Sequence, residues 1–518
     1  MTRRVCVDRR SSLAGLLAGL VAGLSAVLGF GLTPASGAPA TEFYRIDSLT
    51  PPPGIDPQVG ALGVLPDGRL AVAFHRGEVC FYDAVVGSWS VFARGLHEPL
   101  GLLALSAQEV LVMQRPELTR LRDTDGDGTA DRYETAWDGF GMTGNYHEFA
   151  YGPVLDRDGA LFVSLNLAST GDGVREEIRG PWAPFGLSHD DFLRDWDRTK
   201  SRVSKMYSRV PWRGWVMRLE PGTFAPTPWA SGWRSPDGLG FDPAGRLLVT
   251  DNQGDWVGTS GLWVAGRGQF AGHPASLVWT PGRRDDPDVV DPAPLAAVRT
   301  PPAVLFPHGL MASSPTQPLG DTTGGRFGPF SGQVFVGEMN TPRLLRVMLE
   351  DVGGVTQGAC TPFLDWSGLR AGNHRLAWLG DGSLVVGQTH LAWAGGAGLQ
   401  RVTWTGRVPM AVARISLRPG GFLVVFTHPV DDPPSAAAWQ IQRYRYAYHA
   451  DYGSPQLDRT AVVPSAVEWR DGGRSAWVAL PEVQAGGTVY EFTLPAVTGA
   501  GGLALDQRLV CYTVNAVP

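Results

Sequence analysis

Lysine is almost missing from this chain: Lys200 and Lys205 are the only two among 518 residues, the other cations being Arg. A bias of that kind reflects gene base composition rather than chemistry. Positive charge as a whole is short, with 44 Lys and Arg against 50 Asp and Glu, a net charge of −6 and no basic stripe. That excludes a nucleic-acid surface, which needs clustered cations against phosphate. Cysteine is equally sparse. Cys6 precedes an apolar N-terminal run and leaves with it if that run is removed, so Cys80, Cys360 and Cys511 are too few for a disulfide framework. Stability must then come from packing. A C-x-x-C-H haem site, a G-x-S-x-G elbow and a P-loop are all missing, which sets aside several enzyme classes and leaves any redox cofactor non-covalent. Past the N-terminal run, no segment is apolar for long enough to span a bilayer.

That N-terminal run has the layout of an export signal. Arg3, Arg4, Arg9 and Arg10 precede apolar residues from Leu13 to Leu32, and Ala38-Pro39-Ala40 fits small-residue cleavage before Thr41. Thr2-Arg3-Arg4-Val5-Cys6-Val7 partly matches a twin-arginine signal; ordinary secretion and an uncleaved anchor stay open beside it. The expected location is secreted or periplasmic, with no membrane contact after cleavage.

What the chain has in abundance is Gly (67), Pro (41) and Trp (18), which suits short strands and tight turns rather than long helices. Its length exceeds one compact core of about 250–300 residues unless repeats stack around an axis. Such a repeat is present. An apolar strand, a turn and a second apolar strand recur six times, the second strands falling at Leu70-Ala71-Val72, Val110-Leu111-Val112, Leu161-Phe162-Val163, Leu247-Leu248-Val249, Val334-Phe335-Val336 and Leu384-Val385-Val386. Spacings of about 40–50 residues fit four-stranded propeller blades, with insertions around 168–211 and 281–304 accounting for two longer gaps. The expected fold is therefore all-β: a signal over 1–40, a six-bladed β-propeller over 41–406 and an Ig-like β-sandwich over 407–518. The sixth unit supplies only three strands, so Glu42 to Ile46 is expected to close the ring against it. The aromatic run from Tyr444 to His449 reads as a strand packed on the propeller, and no site is assigned there.

Two groups of residues could carry chemistry. Asp123-Thr124-Asp125-Gly126-Asp127-Gly128-Thr129-Ala130-Asp131-Arg132-Tyr133-Glu134 has calcium-loop spacing, with ligands expected from Asp123, Asp125, Asp127, Thr129, Asp131 and Glu134. It follows a third strand, away from the functional mouth, so its calcium should be structural. In a propeller hairpin, the start of the first strand and the end of the second meet at one mouth of the channel. Starts carry His97, His147, Arg234, His308, His374 and Arg375; ends carry His75, Asn166, Asp251, Glu338 and His390. This convergent polar set is the candidate site. The insertion from Ala168 to Pro211 emerges at the same mouth, as a lid or as a solvated loop.

His147-Glu148-Phe149-Ala150-Tyr151-Gly152, followed by Asp158-Gly159-Ala160-Leu161-Phe162-Val163, and Trp233-Arg234-Ser235-Pro236-Asp237-Gly238-Leu239-Gly240-Phe241-Asp242 resemble the soluble quinoprotein glucose and sorbosone dehydrogenases over most of 59–404. Members of that family usually carry Asn where this chain has Ser235. The resemblance implies pyrroloquinoline quinone (PQQ) as cofactor beside Ca2+, with His147 taking a proton from a sugar or polyol hydroxyl and Arg234 stabilising the quinone oxygen. His97, Asn166, Asp251, His308 and Arg375 are the expected cofactor contacts, and an external electron acceptor completes the cycle. Two other readings stay open: a lactonase-like hydrolase whose calcium is held by Asn166, Asp251 and Glu338, and a non-catalytic propeller that binds a glycan or a protein.

Overall fold

The second strand of each repeat shows why these residues fold as stacked sheets. Leu70–Phe74, Leu161–Leu165, Leu247–Asp251, Val334–Glu338 and Leu384–Gln388 are buried along their whole length. A strand buried on both faces has sheets packed on either side of it. The computed structural model describes residues 42–518 except 184, 186, 283–285, 287–289 and 391–395. The expected signal and its cleavage point lie outside the described residues. No helix among the described residues is long and apolar enough to cross a membrane.

The architecture is predominantly β, built of four-stranded antiparallel sheets that resemble propeller blades. In chain order the sheets open with inner strands Val59–Val64, Gly101–Ser106, Ala150–Leu155, Gly238–Phe241, Pro315–Gly320 and Asn373–Trp378. Each inner strand contacts the next, and Asn373–Trp378 contacts Val59–Val64. Apolar cores fill the seams between neighbours. Ala71, Phe81 and Phe92 of one sheet meet Leu102, Val110 and Val112 of the next, and Val59, Leu70 and Val72 meet Val385 and Leu399 at the far seam. Each fully buried Leu or Phe is worth about 1.5–3 kcal/mol, so these seams carry the stability that disulfides do not. Glycine lets the inner strands approach this closely. A Cβ on Gly101 would lie 1.4 Å from the Gly152 carbonyl oxygen, and one on Gly240 would lie 1.9 Å from that of Pro318.

Tyr44–Leu49 pairs antiparallel with Gly398–Trp404, from Tyr44 opposite Trp404 to Leu49 opposite Leu399, and covers the edge that the last of these sheets would expose. The stretch from Ala168 to Pro211 joins Leu161–Leu165 to Trp215–Leu219. It folds on its own small core of Ala168, Leu187, Phe192 and Tyr207. One short helix in it, His189–Arg194, has a capping box between Ser188 and Asp191.

After residue 406 the chain forms a sheet of Val412–Arg418, Gly421–Phe426, Ser475–Ala479 and Ala466–Arg470. Its other strands do not stand apart. Leu509–Val514 pairs with Val355–Phe363, Cys511 opposite Cys360, so one eight-stranded sheet runs from Pro315–Gly320 through to Leu457–Val462. Phe422, Phe426, Ile441, Phe492 and Tyr512 fill the space between that sheet and the four-stranded one.

Candidate active site

His147 sits between Tyr146 and Phe149, just ahead of the inner strand Ala150–Leu155. Its Nδ1 is 2.9 Å from the Leu167 carbonyl oxygen, to which it must donate. That fixes the tautomer and leaves Nε2 as the lone-pair nitrogen. Nε2 makes no hydrogen bond among the described residues and is not sealed from solvent. Burial, and then the Arg234 charge, push the His147 pKa down to about 4. The ring is therefore a neutral proton acceptor through the physiological range.

Arg234 is held by a relay reaching away from the mouth. Fully buried His273 accepts the Ala275 N–H at Nδ1 (3.3 Å), so its Nε2 donates to Asp255 Oδ2 at 3.2 Å. Asp255 Oδ2 also accepts the Met206 N–H (2.9 Å), and its Oδ1 accepts Arg234 Nε at 3.2 Å. Burial would raise the Asp255 carboxyl, but His273 and Arg234 outweigh it and hold the group at about 2. With Nε committed, the Nη groups of Arg234 make no hydrogen bond among the described residues. Gly254 makes room for the Arg234 side chain, since a Cβ there would fall 1.9 Å from Arg234 Nε.

The Arg234 guanidinium lies 5.5 Å from the centroid of Tyr452, and the Lys205 ammonium lies 4.2 Å from the same ring. Tyr452 belongs to the loop after Gln440–Arg445, beyond residue 406. That loop is bound to the mouth by Gly453 N to Gly254 O (2.9 Å), Ser454 N to Gly258 O (2.8 Å) and Trp256 N to His449 O (3.0 Å). Tyr452, His273 and Asp255 were not visible as site residues in the sequence. They come from three separate segments that meet only through folding, and no spacing motif links them.

The other expected site residues divide into groups. Asp251 accepts the N–H groups of Arg234 (2.7 Å), Ser235 (2.7 Å) and Asn252 (2.8 Å), so it shapes the turn that carries Arg234. Asn166 is fully buried and donates to Ser235 Oγ at 3.1 Å. Glu338 accepts from Ser313, Ser314 and Asn340 N–H groups, and burial pushes it up to about 7. His97, His308 and His390 are exposed; His75 lies 3.9 Å from Glu98. Arg115 links Glu98 to the carbonyls of Asn145 and Tyr146, bracing the turn before His147.

Arg375 and His374 lie deeper, in the channel. Asp237 Oδ1 accepts His374 Nε2 (3.0 Å), Arg375 Nη1 (3.0 Å) and Arg375 Nη2 (3.1 Å). His374 Nδ1 reaches the Val59 carbonyl (3.2 Å) and Arg375 Nη2 the Leu100 carbonyl (3.0 Å), so the cluster ties inner strands together across the axis.

The acidic loop lies between Leu118–Arg122 and Arg132–Trp137. Carboxylate oxygens of Asp123, Asp125 and Asp127 lie within 4.8 Å of one another. Asp123 accepts Gly126 and Gly128 N–H groups at 2.7 and 2.9 Å, and Thr129 donates its N–H to Asp127 at 2.8 Å. Asp131 instead bonds Thr124. Glu134 is drawn to Arg122 (2.6 Å) and Arg132 (3.1 Å), and Arg122 holds its carboxyl below the usual range. The structure thus brings three of the six expected ligands together as a carboxylate cluster.

A family model described as a domain of unknown function, DUF7133, matches residues 82–180. No curated protein matches the chain. The fold is similar to the PQQ-bound form of aldose sugar dehydrogenase from Streptomyces coelicolor, at 16% identity over 71% of this chain and 99% of that one, TM-score 0.46. It is also similar to the apo-form of the soluble aldose sugar dehydrogenase from Escherichia coli, at 14% identity over 70% and 99%, TM-score 0.45. The PQQ domain of pyranose dehydrogenase from Coprinopsis cinerea is similar at 14% identity over 70% and 95%, TM-score 0.43.

Proposed function

We propose that this chain is an exported, PQQ-dependent dehydrogenase of sugars or polyols, built as a six-bladed propeller with an Ig-like sandwich and a structural calcium loop. The observation that carries the reading is the pairing at one mouth of a neutral imidazole with a free Nε2 and a guanidinium with free Nη groups. The motif likeness around His147 and Arg234 supports it.

The residues fit the cofactor. PQQ is a flat polyanion, and the mouth offers a planar guanidinium, the Lys205 ammonium and the exposed rings of Tyr146 and Tyr452. When bound, the quinone supplies a two-electron acceptor for the hydride of an alcohol. The protein's part is the proton and the charge. His147 Nε2 accepts the hydroxyl proton as the C–H bond breaks. Arg234, oriented by Asp255, offsets negative charge developing beside its Nη groups. The Asp123, Asp125 and Asp127 carboxylates fit a calcium ion, which would hold the turn between Leu118–Arg122 and Arg132–Trp137.

Purified mature protein is mixed with PQQ and calcium, examined for a bound-quinone absorbance band, and then offered aldoses and polyols with a dye acceptor. Turnover by the native protein is expected, and His147→Ala should keep the band while losing about 10²–10⁴-fold in rate. No PQQ binding at tens of micromolar would falsify the dehydrogenase reading. Export is checked by N-terminal sequencing of the released protein, which should begin at Thr41.

A further inference from the structure

A cavity of about 480 Å³ occupies the end of the channel away from His147 and Arg234. Its walls are the far halves of the inner strands and the turns after them. Leu62, Leu102, Val154, Leu239, Phe241 and Leu319 give it an apolar body. Asp237, Arg375 and Gln317 also line it, and no step proposed above uses any of them.

Those three residues are only partly satisfied. Among the described residues, all three side-chain hydrogen bonds to Asp237 fall on Oδ1 and Oδ2 accepts none, although the residue is 6% exposed. Arg375, 5% exposed, spends both Nη groups on Asp237, His374 and Leu100, and its Nε has no hydrogen-bond partner among the described residues. Gln317 uses Oε1 to accept the Leu376 N–H at 3.0 Å, and its Nε2 donates to nothing among the described residues. None of these spare atoms is sealed from solvent. Open to the cavity, these atoms can exchange water for a ligand, so one spare acceptor and two spare donors lining the same cavity make a place for a ligand group that both donates and accepts.

A hydroxyl meets that requirement, donating to Asp237 Oδ2 and accepting from Arg375 Nε or Gln317 Nε2. Burial would raise the Asp237 carboxyl, but His374 and Arg375 outweigh it, so the carboxylate is charged. A ligand carboxylate would meet the Asp237 charge, and a ligand ammonium would meet Arg375. We propose that this cavity is a second binding site, separate from the His147 mouth, for a neutral alcohol with a compact apolar body.

The test uses four near-isosteric probes on the full chain, followed by ligand-observed NMR and titration calorimetry: cyclohexylmethanol, methylcyclohexane, cyclohexanecarboxylate and cyclohexylmethylammonium. The alcohol should bind saturably and about tenfold more tightly than the hydrocarbon, as hydrogen bonding to a charged group implies. Both ions should bind more weakly than the alcohol. Ala104→Phe fills the cavity and Leu155→Trp narrows its opening, and each should abolish the alcohol signal while the far-UV spectrum and melting temperature confirm folding. If one variant does not fold, the other decides. Absence of saturable alcohol binding, binding that survives in a folded variant, or an ion that matches the alcohol would each overturn the proposal. Since none of these readouts involves PQQ or turnover, the result stands apart from that of the dehydrogenase test.

Discussion

His147 and Arg234 owe their chemistry to second partners rather than to exposure. Leu167 fixes the imidazole tautomer and Asp255 fixes the guanidinium, so each keeps one face committed and one face free. A pH consequence follows from the displaced imidazole. With the folded pKa near 4 against the ordinary 6.5, the unfolded chain takes up a proton that the folded one refuses. No stability is lost on this account above pH 6.5. The loss grows as pH falls from 6.5 to about 4 and levels off below that. The ring C–H resonance of His147, assigned by comparison with His147→Gln, should titrate with a midpoint near 4. A midpoint at 6 or above would show that the ring is neither desolvated nor under the influence of Arg234.

At the scale of elements, the acidic loop is where a local pattern met a competing partner. The spacing of Asp123, Asp125 and Asp127 was legible because all three sit in one tight turn. Position twelve of the pattern, Glu134, falls on a strand whose register sets it opposite Arg120, within reach of Arg122. A ladder register of that kind leaves no mark in a twelve-residue motif. Three converging carboxylates repel one another until a cation joins them, so millimolar calcium should raise the melting temperature of the native protein by a few degrees. The double variant Asp123→Ala, Asp127→Ala should lose that rise, whereas a native melting curve indifferent to calcium and chelator would remove the site. The six second strands were legible for the opposite reason: each is a continuous apolar run after a turn, and nothing nearby competes for it. Gly101 and Gly240, on inner strands, stand in the sequence as ordinary glycines. The reason for them, backbone closing on backbone, required the fold.

At the scale of the whole molecule, the expected boundary at 406 separates residues in sequence more than in space. The direct pairing of Leu509–Val514 with Val355–Phe363 was not readable, because strand edges carry no address in the sequence. The seating of Tyr452 on Arg234 joins residues distant in sequence and was hidden for the same reason. Calorimetry of the full chain should accordingly show one main transition. A fragment ending at residue 406 should melt at a lower temperature, because Val355–Phe363 would become a bare apolar edge. Two well-separated transitions in the full chain, or an equally stable fragment, would mean that the shared sheet couples nothing. The same connectivity sets a schedule for synthesis. Tyr44–Leu49 is among the first described strands to leave a ribosome, yet its partner Gly398–Trp404 is made more than three hundred residues later. At about 5–20 residues per second that is a wait on the order of half a minute. During that time an unpaired strand and an open seam need shielding, so the nascent chain should depend on a chaperone far more than the finished protein does.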